Sequence, residues 1–387
     1  MSQATAIIGT GQTHHCSVRR DVNIPGMIHE AVTRALVDAE LTMNDIDAIV
    51  IGNMEHFEGI HLSDMWSLDG AGGYLKPTIK VATGGCTGTS LGIAGYYHVA
   101  SGLFDSCLAI GWEALSVSEG ETTTGIITAF DPFFERPTFA GAISGLGIFA
   151  QEYMNQTGVT EAQAAQVVVD ARQKAQRNPF AHLKQSVTVE EVMKSPLLSY
   201  PLKYLDMCPT SDGACAVIFA SESMVKKHGK KAAFIKAVAS VHNHTYLGDT
   251  VRFRGNQLET LTLAAQQAYK KSGINNPLED LDVAEIYEPC SFALLKWMEY
   301  LGFCEKGQGI RLVEDGTVAM KGKLPVNPSG GVLCTNPIGA TGLIRVAEAA
   351  SQVMGRAGEH QVDGVRRAIA TGFGGSNWNE VLILEAP

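Results

Sequence analysis

The chain has 387 residues, 45% of them hydrophobic, with 40 acidic against 30 basic side chains and a formal charge of -10. That length suits two or three domain-sized units around a large core. The acidic balance excludes a concentrated basic surface, so no nucleic-acid partner is expected, while a few local cations can still meet a phosphate-bearing cofactor.

Residues 4–8 form an apolar strand without a basic leader, so no signal peptide is expected. A helical pattern covers 28–39, and a strand-like run at 46–51 ends in Gly52-Asn53. A further strand, 78–82, leads into Thr83-Gly84-Gly85-Cys86, and the small and apolar residues of 89–100 predict a buried helix. The strand 106–110 closes this unit at Gly111-Trp112-Glu113.

From 116 to 200 the character changes. Phe130-Asp131-Pro132 and Arg136-Pro137 read as loop, while 160–175 and 188–194 read as helices, each opening on the spacing of a capping box.

The second half repeats the first. It runs strand 233–237, helix 258–270, and strand 281–286 ending in Tyr287-Glu288. Segments 325–331 and 336–342 then lead into helix 343–354, and strand 367–370 ends at Thr371-Gly372-Phe373-Gly374-Gly375. This duplication predicts an α/β fold of two similar halves, each a mixed β-sheet covered by helices. The expected division is 1–115 with 201–232 as the first half, 233–387 as the second, and 116–200 as an inserted loop region covering the site. No apolar run reaches the ~18 residues that a membrane span needs, so a soluble cytoplasmic protein is expected, with no membrane partner.

The segment from Val81 to Ser90 carries the strongest chemical signal. A strand ends, two glycines permit a sharp turn, and Cys86 sits where a helix begins. The partial positive charge of a helix N-terminus favours a thiolate. A small buried residue at a crowded turn is the alternative reading. The Gly-rich loop through Gly330, Gly331 and Gly339 is its counterpart in the second half, or simply a structural turn. The eight cysteines include no C-x-x-C pair, so no metal site is expected, and most are read as buried hydrophobes in a reducing compartment. His56 and His61 follow a strand end as base, anion contact or plain surface residues. Arg252 and Arg254, with Arg136, are candidates to meet a substrate carboxylate or the phosphates of a cofactor.

Taken in order, the run from Gly84 to Gly102, the Gly330–Gly342 loop and the Gly374-Gly375 ending resemble the thiolase superfamily. Gly9-Thr10-Gly11-Gln12-Thr13, Gly52-Asn53-Met54 and Ser211-Asp212-Gly213-Ala214 fit as well. The resemblance covers the whole chain and is nearest to the archaeal and sterol-carrier-protein-like thiolases. It implies the thiolase-like layering αβαβα and a Cys86 nucleophile that attacks the keto carbon of a 3-ketoacyl-CoA. It further implies an oxyanion held by backbone N–H groups at Cys86 and Gly374 or its neighbour, with Gly331 and Gly375 in the binding loops. Coenzyme A is then a co-substrate, with no tightly bound cofactor.

The same resemblance points to 2-benzoylsuccinyl-CoA as a specific substrate, split with CoA to benzoyl-CoA and succinyl-CoA in anaerobic toluene degradation. It also points to a homodimer core and a small zinc-ribbon/OB-fold partner subunit. The alternatives are a retro-aldolase on a side-chain acyl-CoA and a non-catalytic acyl-CoA or lipid carrier.

Three departures stand out. Relatives carry Gly-His-Pro where this chain has Thr335-Asn336-Pro337, and Asn336 cannot take a proton. Tyr287 falls where a donor to the enolate oxygen would sit. The final glycines lack a preceding cysteine, which leaves the acid/base role without a residue. Cys290 is the first candidate for it, against a reading as a buried thiol at a helix start.

Overall fold

In a computed structural model, the described residues are 3–57, 62–118, 126, 130–138, 141–229, 231–242, 259–375 and 378–387. The first part of the chain runs β1 (Thr5–Gln12), α1 (Ile24–Ala39), β2 (Ala48–Gly52), α2 (Asp64–Ala71), β3 (Thr78–Lys80), α3 (Thr87–Ala100) and β4 (Ser106–Ala114). The middle supplies α4 (Ala142–Thr157), α5 (Glu161–Ala175), α6 (Val189–Lys194) and a small hairpin, β5 (Leu197–Ser199) with β6 (Leu202–Lys203). Then follow β7 (Asp212–Ser221), α7 (Glu222–His228), β8 (Ala233–His242), α8 (Thr260–Ser272), α9 (Pro277–Asp280), β9 (Val283–Glu285), α10 (Ser291–Tyr300), α11 (Gly309–Glu314), α12 (Ile338–Met354), β10 (Arg367–Phe373) and β11 (Trp378–Glu385).

The duplication read from the sequence is present in the strand pairing. The main sheet has the order β3-β2-β4-β7-β1-β8-β11-β10-β9. Outward from the antiparallel β1–β8 contact, β1-β7-β4 on one side matches β8-β11-β10 on the other, all antiparallel. Next come parallel neighbours, β2 then β3 on one side. On the other side these are β9 and a single parallel bridge from Ala284 to Val326.

Alternating side chains of these strands feed different cores, as the period of two requires. On β7, Cys215, Val217 and Phe219 face the central core while Ala214, Ala216, Ile218 and Ala220 face the core under α1. On β11, Leu382 and Leu384 face the centre while Val381 and Ile383 face the core under α8. The central layer is α3 against α12, which gives the succession α1, sheet, α3 with α12, sheet, α8. Helix α12 is buried from Gly339 to Met354, as a helix sandwiched between the two halves of the sheet must be.

Both capping boxes exist. Thr160 Oγ1 accepts from Gln163 N–H at 3.3 Å and Thr188 Oγ1 from Glu191 N–H at 3.2 Å. Helix α1 begins earlier than expected because Asn23 caps Gly26 N–H at 2.9 Å with Pro25 in the first turn. Among the described residues no helix is long and apolar enough to cross a membrane.

Candidate active site

The N-termini of α3 and α12 meet backbone to backbone. A Cβ on Gly88 would lie 2.5 Å from Leu343 N, and one on Gly342 would lie 2.4 Å from Thr89 N. Two positive helix ends therefore converge on one point. Glu113 ties this junction to the end of β2, its Oε2 accepting from Met54 N–H and Gly339 N–H, both at 3.0 Å.

The turn before α3 is built by Gly84 at φ +59 and by Thr87. The Thr87 hydroxyl accepts from Thr83 N–H at 2.9 Å and donates to Gly84 O at 2.7 Å. Cys86 follows as the residue capping α3, in a right-handed helical conformation. Its side chain is fully buried and its thiol donates to Trp378 O at 3.6 Å.

The opposing wall is the loop after β10. A Cβ on Gly85 would meet Phe373 O at 2.5 Å, and one on Gly374 would meet Cys86 Sγ at 3.0 Å. Only glycine lets these two turns lie in contact over the sulfur. Gly374→Ala is expected to slow acylation of Cys86 on the order of 10-fold to 10²-fold through this sub-ångström crowding. Stopped-flow acylation with thermal melts on the same samples checks it: a rate within twofold of the wild type would show that the contact is irrelevant.

Above lies a cavity of 290 Å³, lined by Gly84 and Gly85, Gly374 and Gly375, and Tyr287, Asn336 and Cys208. Apolar walls come from Met54, Leu115, Ile126, Phe130, Ile143, Leu146 and Phe373, and Glu135 is the one charged group among the described lining residues. Tyr287 is buried, with Thr341 beside its hydroxyl. The Thr341 hydroxyl donates to Asn336 Oδ1 at 2.9 Å, and Asn336 Nδ2 donates to Cys208 Sγ at 3.3 Å. Burial pushes the Tyr287 phenol well up, with the neighbouring Cys208 and Cys86 adding to it, so it is a donor at neutral pH.

Several expectations need revision. Cys290 is fully buried in the core under α8 and does not line the cavity. Its segment instead pairs with Met207, and Pro289 O accepts from Cys208 N–H at 3.1 Å, which brings Cys208 to the wall. The Gly374 N–H cannot hold an oxyanion as arranged, because it donates to Trp378 O at 2.8 Å. Gly331 is buried away from the cavity, where a Cβ would strike Glu288 Oε1. His56 is exposed and outside the wall. Arg136 donates to Phe130 O at 2.8 Å. His61, Arg252 and Arg254 lie outside the described residues.

The helix terminus does not ionise Cys86 in the unliganded site either. Burial raises the thiol well above its ordinary range, and the charge of Glu380 adds to it. Glu380 was not legible from sequence as a site residue. Its Oε1 accepts from Ser90 at 2.9 Å and Ser240 at 3.0 Å, and burial lifts its carboxyl to about 7. A carboxyl raised on folding stabilises the fold fully at low pH and loses that contribution as pH climbs through about 7. Glu380→Gln is therefore expected to gain up to ~3 kcal/mol over the wild type on going from pH 5 to pH 8.5. Thermal midpoints at the two pH values test this; an equal difference at both would refute it.

The thiolase N-terminal domain family matches residues 5–223, and the thiolase C-terminal domain-like family matches 240–386. The chain belongs to the thiolase family. This thiolase-family chain is 34% identical over 375 residues to an acetyl-CoA acetyltransferase of Methanothermobacter thermautotrophicus, covering 96% of each. It is 34% identical over 278 residues to the benzoylsuccinyl-CoA thiolase subunit BbsB of Thauera aromatica, covering 70% of each. Among solved structures it is similar to an Ltp2-ChsH2(DUF35) aldolase, with TM-score 0.82 and 25% identity over 100% of this chain and 98% of that one. Human mitochondrial 3-ketoacyl-CoA thiolase in complex with CoA shares the fold, with TM-score 0.73 and 16% identity over 100% and 98%. The thiolase-family chain is thus an acyltransferase enzyme of the class that uses acyl-CoA and CoA as substrates.

Proposed function

We propose that the chain carries out CoA-dependent thiolysis of a 3-oxoacyl-CoA through an acyl thioester on Cys86. The observation that carries this reading is the placement of Cys86 at the meeting of two helix N-termini, directly beneath glycine turns that line an apolar cavity. Substrate displaces the thin glycine wall to reach the sulfur. The developing oxyanion is then met by the Cys86 and Gly375 N–H groups. The Tyr287 phenol and Asn336 amide serve the enolate of the departing fragment. We read 1–115 with 201–232 and 233–387 as the two halves, with 116–200 as the segment that walls the cavity.

The acyl group we favour is branched or aromatic and uncharged. BbsB supports 2-benzoylsuccinyl-CoA as a specific candidate, yet that substrate carries a free carboxylate, and Glu135 is the charged group in the described wall. The test is thiolysis of 2-benzoylsuccinyl-CoA against its uncharged analogue 2-methyl-3-oxo-3-phenylpropanoyl-CoA. The reading expects two acyl-CoA products from the analogue, one CoA consumed per turnover, and a higher kcat/KM for it; preference for the dicarboxylic substrate would reverse the assignment.

A retro-aldol reading is favoured by Tyr287, by Asn336 in place of histidine, and by the likeness to the Ltp2-ChsH2(DUF35) aldolase. Cleavage of a 3-hydroxyacyl-CoA with no free CoA consumed would establish it. Tight acyl-CoA binding without turnover would instead mark a carrier.

We further propose a homodimer built on the β3 edge, where Met65, Tyr74, Leu75 and Ile79 are exposed. An apolar patch beside an open strand edge calls for a covering partner. Ile79→Lys is expected to raise the dimer dissociation constant at least about tenfold, a 1.4 kcal/mol change, as read by light scattering. A small zinc-ribbon/OB-fold subunit stays part of the proposal through the two-component relatives BbsB and Ltp2-ChsH2(DUF35).

A further inference from the structure

The thiolytic reading leaves one chemical task without a group. When the C2–C3 bond breaks, the departing enolate must gain a proton at C2, and the incoming CoA thiol must later lose one. Asn336 can do neither, and Cys290 is locked in the core.

Cys208 is the one thiol among the described lining residues of the cavity. It comes from a loop pinned on both sides. Its N–H donates to Pro289 O at 3.1 Å, and its sulfur accepts from Asn336 Nδ2 at 3.3 Å. Asn336 links it by hydrogen bonds to Thr341, whose side chain neighbours Tyr287. A sulfur with that placement faces the same space as the enolate donor and the glycine turns over Cys86.

We propose that Cys208 is the catalytic acid and base of the carbon–carbon cleavage, an inference that rests on the thiolytic reading. Cys86, a thiol before substrate enters, first loses its proton to solvent, and the cycle then starts with Cys86 as thiolate and Cys208 as thiol. Cys86 adds to C3, the C2–C3 bond breaks, and its electron pair leaves as the thioester enolate. Cys208 gives its proton to C2 and becomes a thiolate. Free CoA then enters and passes its thiol proton to Cys208 while the CoA sulfur attacks the acyl thioester. The bond to Cys86 breaks, Cys86 leaves as thiolate, and both sulfurs regain their starting states.

Burial, with the nearby Glu288 charge, pushes the Cys208 thiol up to about 12. That suits an acid that holds its proton until a carbanion stronger than itself appears.

The test uses the full chain with Cys208→Ala and Cys208→Ser, each screened for a thermal midpoint near that of the wild type. Two signals are read: acylation of Cys86 by 2-methyl-3-oxo-3-phenylpropanoyl-CoA, and deuterium exchange at C2 of propionyl-CoA in heavy water. The expected result is acylation of Cys86 in all three proteins, with steady-state thiolysis down about 10²-fold to 10⁴-fold in the alanine variant and C2 exchange lost. Thiolysis and exchange within threefold of the wild type in Cys208→Ala would overturn the proposal. So would full recovery by serine, the mark of a packing role. If the wild type forms no Cys86 adduct at all, the thiolytic reading itself fails and this inference falls with it.

Discussion

Cys86→Ala is expected to lower thiolytic kcat by at least about 10⁴-fold, the scale of losing a covalent nucleophile. The thermal midpoint should change little, because the side chain contributes one buried sulfur between Trp378 O and Gly374. Cys86→Ser should fall almost as far, since a hydroxyl in this burial is harder to ionise than a thiol. Steady-state thiolysis with melting curves checks both. Retention of more than a hundredth of the wild-type rate would place the nucleophile elsewhere.

The second large effect is on folding. Arg345 on α12 is buried against Glu285 on β9, its Nη1 donating to the Glu285 carboxylate and to Ser329 Oγ at 2.8 Å. Glu285 also accepts from Ser329 Oγ at 2.8 Å. Nearby on the same helix, Glu348 meets His360 at 2.7 Å and Gln12 at 2.7 Å.

Burial works against the Glu348 charge, yet His360 and Arg345 hold its carboxyl down at about 2. For Glu285 burial prevails and the carboxyl is raised despite Arg345. Arg345→Ala strands the Glu285 charge, so a loss of about 3–5 kcal/mol is expected at neutral pH. With its cation gone, Glu285 should prefer to fold protonated, and stability should fall further as pH rises. The deficit relative to wild type should therefore be larger at pH 8 than at pH 5. Chemical denaturation at the two pH values decides it. A deficit under about 1 kcal/mol at pH 8, the scale of an exposed ion pair, would mean the pair contributes little.

The Cys86 turn was legible because its signal is local: a strand, two glycines, Cys86 and a helix lie within one short run. The capping boxes at Thr160 and Thr188 are local too. Strands β7 and β11 were not legible, because both faces of each are buried and no polar alternation marks them. Cys290 drew attention by its nearness in sequence to Tyr287, but the backbone turns it into the core. Cys208 reaches the cavity only through tertiary contacts with Pro289 and Asn336. Its sole sequence cue was Cys208-Pro209-Thr210 just ahead of Ser211-Asp212-Gly213. Glu380 and Arg345 look like breaks in apolar runs until the layers close over them.

The most direct measurement is mass spectrometry of the intact protein mixed with 2-methyl-3-oxo-3-phenylpropanoyl-CoA and quenched before free CoA is added. The account predicts one benzoyl group per chain, mapped to the peptide that contains Cys86 and discharged as benzoyl-CoA when CoA follows. An unmodified Cys86 alongside undiminished cleavage of the same thioester would contradict it.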